Sequence, residues 1–446
     1  MPRLRPSIFF VSGPSASATA SRPCLHSLTL SSSRRSISTA RHPPFAVLET
    51  CPEPTCPCRS APKLDLEIDR KQNLNGSMSP YAQHLIVSTG QSDWTSRIED
   101  EHDNGTSWGQ VVGDFKSLLG RHGEFHDPFN NILINTSSFT PSSEPEPRHS
   151  RDLVEGVDAL IFPAFRRFRH LAPLARGREA TTKSTVLTSP AGAGSGGLKD
   201  FVRGYLLPEP DRLHPIYKDI PEHERAAKIR DATAASNFHS WPIVNPTILI
   251  CSHHQRDSRC GTLGPLLHEE FRRYINQRKP DEQGRKLVTP QSPGNFIASE
   301  NDGPTGSEPG VQGSILESLG QSLIDTTLSS FSNTNASATS SMQAHVNVGM
   351  ISHVGGHKWA GNVIVYIPPT FTTFHGTTSN HQHPSSDMSH ASGVPPPHPL
   401  RGMGIWYGRV EPRHIEGIIE QTVMSGKVIG ELFRGGINAY GEILRL

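Results

Sequence analysis

The chain has 446 residues, of which 34% are hydrophobic, with 39 glycines, 38 prolines and a formal net charge of +1. That length allows two or three domains, but the apolar share falls below the roughly 45–50% (glycine included) of a well-filled globular chain, so a good part of it reads as loop or disordered insertion. A charge near zero gives no reason to expect a nucleic-acid or anionic-membrane partner. No run of about 18 apolar residues marks a transmembrane helix, so the chain reads as soluble.

From Met1 to Leu48 there is no acidic residue and no lysine, while six arginines and many serines are present. An Arg- and Ser-rich, acid-poor leader has the composition of a mitochondrial transit peptide, expected over 1–45, with RRSISTA as its processing site. Cys51, Cys56 and Cys58 follow in CPEPTCPC. AQHLIVSTG then reads as a strand and turn, and SDWTSRIEDE as a short helix capped by Ser92 with Trp94 and Ile98 on one face. Val111 to Leu119, FNNILIN and VDALIFPAF complete a smaller α/β domain expected over 46–175. Residues 176–240 read as a linker with PAGAGSGG, followed by a helix in PEHERAAKIRDATAAS with proline in its first turn.

The domain expected over 241–446 opens with NPTILICSH, a buried strand, and GPLLHEEFRRYI, an amphipathic helix. Residues of about 277–343 read as a disordered insertion, interrupted by a short helix in SILESLGQSLID. HVNVGMIS and GNVIVYIP are strands. A second insertion, about 370–400, holds His375, His381, His383, His390 and His398, which could bind metal adventitiously. GIWYGRV is the next strand and EPRHIEGIIEQTVMSGKVI a helix opened by Pro412. Strand, helix, strand, strand, strand, helix is the order of a compact α/β (α+β) domain.

The chemistry sits at the ends of these strands. Cys251 and Cys260 bracket CSHHQRDSRC, and His353 and His357 bracket HVGGH, whose two glycines let the backbone turn tightly. Three chemistries are open to such a set. Structural zinc prefers paired cysteines two to four residues apart, and here eight intervene. A [2Fe–2S] cluster accepts two Cys and two His, as Rieske centres do, but Cys260-Gly261-Thr262 lacks the second Rieske histidine. A Cys251–Cys260 disulfide would leave both histidines without a role. His253 is a candidate to orient a ligand or hydrogen-bond a sulfur. Arg256, Asp257 and Arg259 supply either a basic neighbour or an internal Asp–Arg pair. Lys358 and Trp359 adjoin the last histidine, Trp359 as packing.

ILICSHHQRDSRCGTLGPLL, ISHVGGHKWAGNVIVYIPP and GIWYGRVEPRHIEGII…GKVIGELFRGGI closely resemble the sucrase/ferredoxin-like family, nearest to a fungal branch of it. The resemblance extends in blocks over most of 50–275 and 343–446. It implies a thioredoxin-like ferredoxin fold for the C-terminal domain. It also implies a non-Rieske [2Fe–2S] cluster held by Cys251, Cys260, His353 and His357. The function so implied is single-electron transfer in mitochondrial redox homeostasis, in the matrix or the intermembrane space, between protein donors and acceptors that the sequence does not identify. Neutral imidazoles in place of thiolates ease reduction, so a potential above roughly −400 mV is expected, toward about −150 to +300 mV. Protonation of an imidazole could couple to reduction. Two further readings are a zinc-stabilised binding module and a thiol oxidoreductase using Cys51, Cys56 and Cys58.

Overall fold

The computed structural model describes residues 43–104, 107–142, 156–174, 197–281, 284–291, 295–297, 343–372 and 396–446. The leader up to His42, most of PAGAGSGG, the helix expected in SILESLGQSLID, and His375, His381, His383 and His390 lie outside the described residues.

In chain order the first elements are β1 (Ala46–Leu48), β2 (Gln83–Ser88), α1 (Ser107–Leu119), β3 (Ile132–Ser137), β4 (Val157–Phe162) and β5 (Arg166–Leu171). Three short helices follow, α2 (Leu198–Phe201), α3 (Glu222–Ala226) and α4 (Ala232–Ala235), and, after β6 (Ser240–Pro242) and β7 (Thr247–Cys251), the long α5 (Ser258–Gln277). The chain then forms β8 (Lys286–Val288), β9 (Gln343–His345), β10 (Asn347–Ile351), β11 (Val363–Ile367) and β12 (Met403–Tyr407). It closes with α6 (Ile415–Gly417), which runs on as a wider turn of helix to Met424, then β13 (Lys427–Ile429), β14 (Phe433–Ile437) and β15 (Ile443–Leu444).

Eleven strands make one mixed sheet in the order β15-β14-β12-β11-β7-β10-β3-β2-β4-β5-β6. Its two halves have the same plan. In the first, β2 and β3 run parallel with α1 between them, β4 lies antiparallel on the other side of β2, and β5 antiparallel to β4. In the second, β7 and β10 run parallel with α5 between them, β11 lies antiparallel beside β7, and β12 antiparallel to β11. Each half is thus a βαβ unit followed by a hairpin, the layout that a thioredoxin-like fold implies. The halves meet antiparallel at β3 and β10, where Ile351 pairs with Ser137. The segments read as two domains, 46–175 and 241–446, therefore contribute adjoining halves of one sheet.

Strand alternation explains how the sheet is covered. Leu85 and Val87 of β2 join Ala159 and Ile161 of β4 in a core with Trp94, Ile98, Trp108, Val111, Val112 and Phe115 on the α1 side. Ile86, Leu160 and Phe162 point the other way, into the larger core built by β7, β10–β12, β14 and the apolar stripe Leu263, Leu267, Phe271 and Ile275 of α5. Burying both faces is why these strands read as continuous apolar runs.

Several local expectations need correcting. Ser92 does not cap a helix: residues 92–97 form a loop, and helical turns begin at Ile98, although Trp94 and Ile98 are both buried. The helix expected over 221–236 is two short pieces, because Asp231 breaks the run and caps α4 through Thr233 and Ala234 N–H. The strands β13 to β15 were not anticipated at all. The described ends of the insertions are ordered: β8 pairs with β9 in parallel, Phe296 packs edge-on against Phe139, and His398 is buried at 1% exposure rather than lying in a polar loop. Phe45, assigned to the leader, packs against Phe433.

Candidate metal centre

Parallel strands whose carboxyl ends lie side by side open a crevice there, the usual place for a ligand in an open α/β sheet. β7 and β10 are such a pair, with Cys251 directly opposite Ile351. Cys251 is the last residue of β7, and His353 follows β10 by two residues. Cys260 is not in a loop, as the sequence suggested, but in the first turn of α5. The helix starts six residues before the expected glycine because Asp257 caps it, accepting from Arg259 N–H at 3.1 Å. Both cysteines are free thiols, 1% and 0% exposed.

The turn between β10 and β11 delivers the histidines. Gly355 and Gly356 both adopt the left-handed conformation, φ +83° and +76°, which side chains other than glycine's strongly disfavour. A Cβ on Gly356 would also lie 2.6 Å from Arg434 Nη2 and 2.8 Å from Trp359 Cε3. This bend brings the His353 and His357 rings to 5.4 Å between centroids. His353 Nδ1 is buried with no hydrogen-bond partner, while His357 is largely exposed at the rim.

The thiols act on one another. Cys260 beside it, then the His353 imidazole and the Val354 N–H, hold the Cys251 thiol well below its usual range against the opposing effect of burial. Cys251 in turn, together with burial and the Asp257 carboxylate, pushes Cys260 up. The two thiols thus shift in opposite directions, Cys251 toward the ionised form and Cys260 away from it. Partial desolvation at the rim lowers His357, partly offset by Asp257. Among the described residues no group of three or more His, Cys, Asp or Glu side chains is disposed to hold a single metal ion.

Around the four candidates the supporting contacts are specific. His253, 1% exposed, accepts from His353 N–H at Nδ1 (3.0 Å) and reaches Trp94 O (2.9 Å) and Thr95 O (2.7 Å) through Nε2. Both nitrogens are used, so it orients a candidate ligand through that residue's backbone. Arg259 forms the internal pair, gripping Asp257 with two nitrogens at 2.9 Å. Trp359 is packing, between the Lys358 ammonium and the Arg434 guanidinium. Two contributors were missed by the sequence reading. The strap of residues 49–74 passes the site, with Glu67 O accepting from Arg259, and Asp69 N–H donating to Lys358 O. Arg434, from β14, lies beneath the HVGGH turn and donates to Gly355 O.

The N-terminal cysteines divide. Cys51 packs against the core, its thiol near His414 O, and burial pushes it up to about 12. Cys56 and Cys58 instead line one surface cleft with Glu270, Arg273, Tyr274 and Glu416. Burial and Glu416 raise the Cys56 thiol.

The sequence model of the sucrase/ferredoxin-like family matches residues 74–435, which include Cys251, Cys260, His353 and His357 and leave out Cys51, Cys56 and Cys58. The chain belongs to the sucrase/ferredoxin-like family. Among curated relatives, a Debaryomyces hansenii protein named altered inheritance of mitochondria protein 32 is 25% identical over 87% of this chain and 96% of its own length. A Meyerozyma guilliermondii protein of the same name is 24% identical over 54% of this chain, which spans about half (51%) of that relative. One from Saccharomyces kudriavzevii is 33% identical over 43% of this chain and 32% of its own length. No solved structure matches the chain. Among the described residues, no helix of this family member is long and apolar enough to cross a membrane.

Proposed function

We propose that this member of the sucrase/ferredoxin-like family is a one-electron carrier whose Cys251, Cys260, His353 and His357 hold a [2Fe–2S] cluster. The observation that carries the reading is the convergence, beside the ends of two parallel strands, of two buried thiols and an imidazole whose buried Nδ1 makes no hydrogen bond. Soft anionic sulfur and neutral imidazole are the donors such a cluster takes. When bound, the cluster would supply one electron at a potential above roughly −400 mV, toward about −150 to +300 mV.

The chain's own residues do the rest. Cys251 is the thiol whose surroundings favour ionisation, and Asp257 fixes the first turn of α5 and with it Cys260. His253 holds the backbone of His353, and the left-handed glycines set His357 beside it. His357 and Lys358 lie at the exposed edge, which gives a redox protein a short approach to the centre. The names of the relatives imply mitochondrial involvement for those proteins. With the acid-free Arg/Ser leader, they support a mitochondrial location here, in the matrix or the intermembrane space, and a part in redox homeostasis.

One observation favours a second reading. Cys56 and Cys58 face the same cleft, as a dithiol oxidoreductase would need. Optical and electron paramagnetic resonance spectra of purified protein separate the readings. We expect visible absorption and a paramagnetic signal on reduction, lost in C251S and C260S and altered in H353C and H357C, with C56S/C58S retaining both signal and electron transfer. Colourless protein with stoichiometric zinc would overturn the carrier in favour of a zinc-stabilised binding module. Loss of activity in C56S/C58S with an intact spectrum would move the function to the dithiol.

A further inference from the structure

Arg434 is 1% exposed, and a buried guanidinium is tolerated only when its charge and its donors are both answered. Its donors are: Nε to Ser77 Oγ (3.2 Å), Nη1 to Gly355 O (3.1 Å) and Asn362 Oδ1 (2.7 Å), and Nη2 to Ser77 O (3.0 Å). Its plane lies against Trp359 and Trp406, 5.1 and 5.9 Å from the ring centroids. Every one of these partners is neutral. Among the described residues no carboxylate pairs with it, although burial lowers it only to about 10, so it stays charged at physiological pH. The groups that favour its charged form are the thiols of Cys251 and Cys260.

The same guanidinium grips the ligand turn. Asn362, which accepts from Nη1, donates its own Nδ2 to Gly356 O at 3.1 Å. Arg434 therefore holds Gly355 directly and Gly356 through Asn362, the two residues between the histidines. Lysine could keep the charge but could not reproduce a planar fork with this many fixed acceptors.

We propose that Arg434 is the buried counter-cation of the centre, favouring its reduced state, and the clamp that fixes the turn carrying His353 and His357. The charge role rests on the cluster reading. Two ferric ions, two sulfides, two thiolates and two neutral imidazoles sum to zero, so the entering electron leaves one net negative charge. That charge arises in a water-poor site beside a fixed cation, where the attraction is far stronger than in water.

The test is a redox titration of the iron-loaded protein, followed by electron paramagnetic resonance, for wild type, R434K, R434Q and N362D. Amide hydrogen exchange of Gly355 to Trp359 is followed in the same proteins. In R434Q the one-electron equilibrium should shift at least tenfold toward the oxidised form, which is about 59 mV downward. N362D puts a carboxylate where Nη1 now meets an amide oxygen. It should shift the same way, and it serves if R434Q fails to fold or load. R434K should keep the potential within threefold of wild type while exchange of the turn accelerates. Potentials of R434Q or N362D within threefold of wild type would overturn the counter-charge, as would R434K falling as far as R434Q. If wild type takes up no iron, the electron-carrier reading and the counter-charge fall together. The clamp is then judged on iron-free protein, and wild-type exchange rates in R434K and R434Q would overturn it.

Discussion

The candidate ligands depend on residues that never touch them with a donor atom, and His253 is the clearest case. Its ring bridges two loops from different halves of the sheet, with Nδ1 accepting from His353 N–H and Nε2 donating toward Trp94 O and Thr95 O. That arrangement requires the neutral ring with its proton on Nε2, so His253 is not itself available to bind metal. H253A would leave a buried N–H and two carbonyls without their partner. The cost should be about 1–3 kcal/mol of stability, and loss of a ligand-orienting contact typically weakens metal affinity 10–100-fold. Urea unfolding and iron content after dialysis against chelator measure the two effects. Retention of full iron occupancy in H253A would mean that the His353 backbone needs no such anchor.

At the scale of elements, the centre exists because α5 lies hard against the end of β7. Gly264 makes this possible: a Cβ there would lie 2.6 Å from Ser252 Cα and 2.7 Å from Cys251 O. G264A must push the helix away from the strand, and Cys260 with it. Overpacking of this kind should cost about 1–3 kcal/mol, read from the urea midpoint, and iron occupancy should fall with it. An alanine variant with wild-type midpoint and iron would show that the helix can slide without disturbing the thiols. The strand–helix–strand–strand–strand–helix order of this half was legible in the sequence, because its apolar runs are long and both faces are buried. The start of α5 was not, since its cap, Asp257, stands among polar residues that read equally well as loop. The strands β13 and β14 were hidden for a related reason: KVIGELFRGGI is broken by glycines that look like turn signals. Arg434 has no sequence signature as a site residue, for its partners come from two distant segments, Ser77 from one and Gly355 and Asn362 from the other.

Among the described residues two copies of one plan share a sheet, and the joint between them is polar as well as hydrogen-bonded through the backbone. Asn135 of β3 donates to Ser352 Oγ and to His353 O, both at 3.0 Å. Its Oδ1 meets His84 Nε2 at 3.0 Å, and His84 Nδ1 meets Tyr366 OH at 2.9 Å, which continues to Tyr81 OH at 2.8 Å. A chain of contacts thus runs from the candidate centre through the joint into the larger core. His84 is fully buried, and burial pulls it from 6.5 down to about 3, opposed only in part by Asn135. None of the groups facing it carries a charge to offset a proton: Tyr81 and Tyr366 are neutral phenols raised by burial, and Asn135 and Trp406 are uncharged. Below pH 6.5 the unfolded chain takes up a proton that the folded joint refuses. Stability contributed by neutral His84 is therefore complete above about pH 6.5 and is lost progressively as pH falls toward about 3, amounting to at most about 5 kcal/mol. His398, buried and lowered to about 4, adds a loss of the same sign. Urea midpoints of wild type should accordingly drop between pH 6.5 and 4, and H84Q, which has no proton to take up, should drop less steeply. Because one sheet carries both halves, sheet-buried Trp406 and the loop tryptophan Trp94 should report the same transition at each pH. Parallel pH profiles for wild type and H84Q would remove His84 from the acid response and leave the joint to its backbone pairing alone.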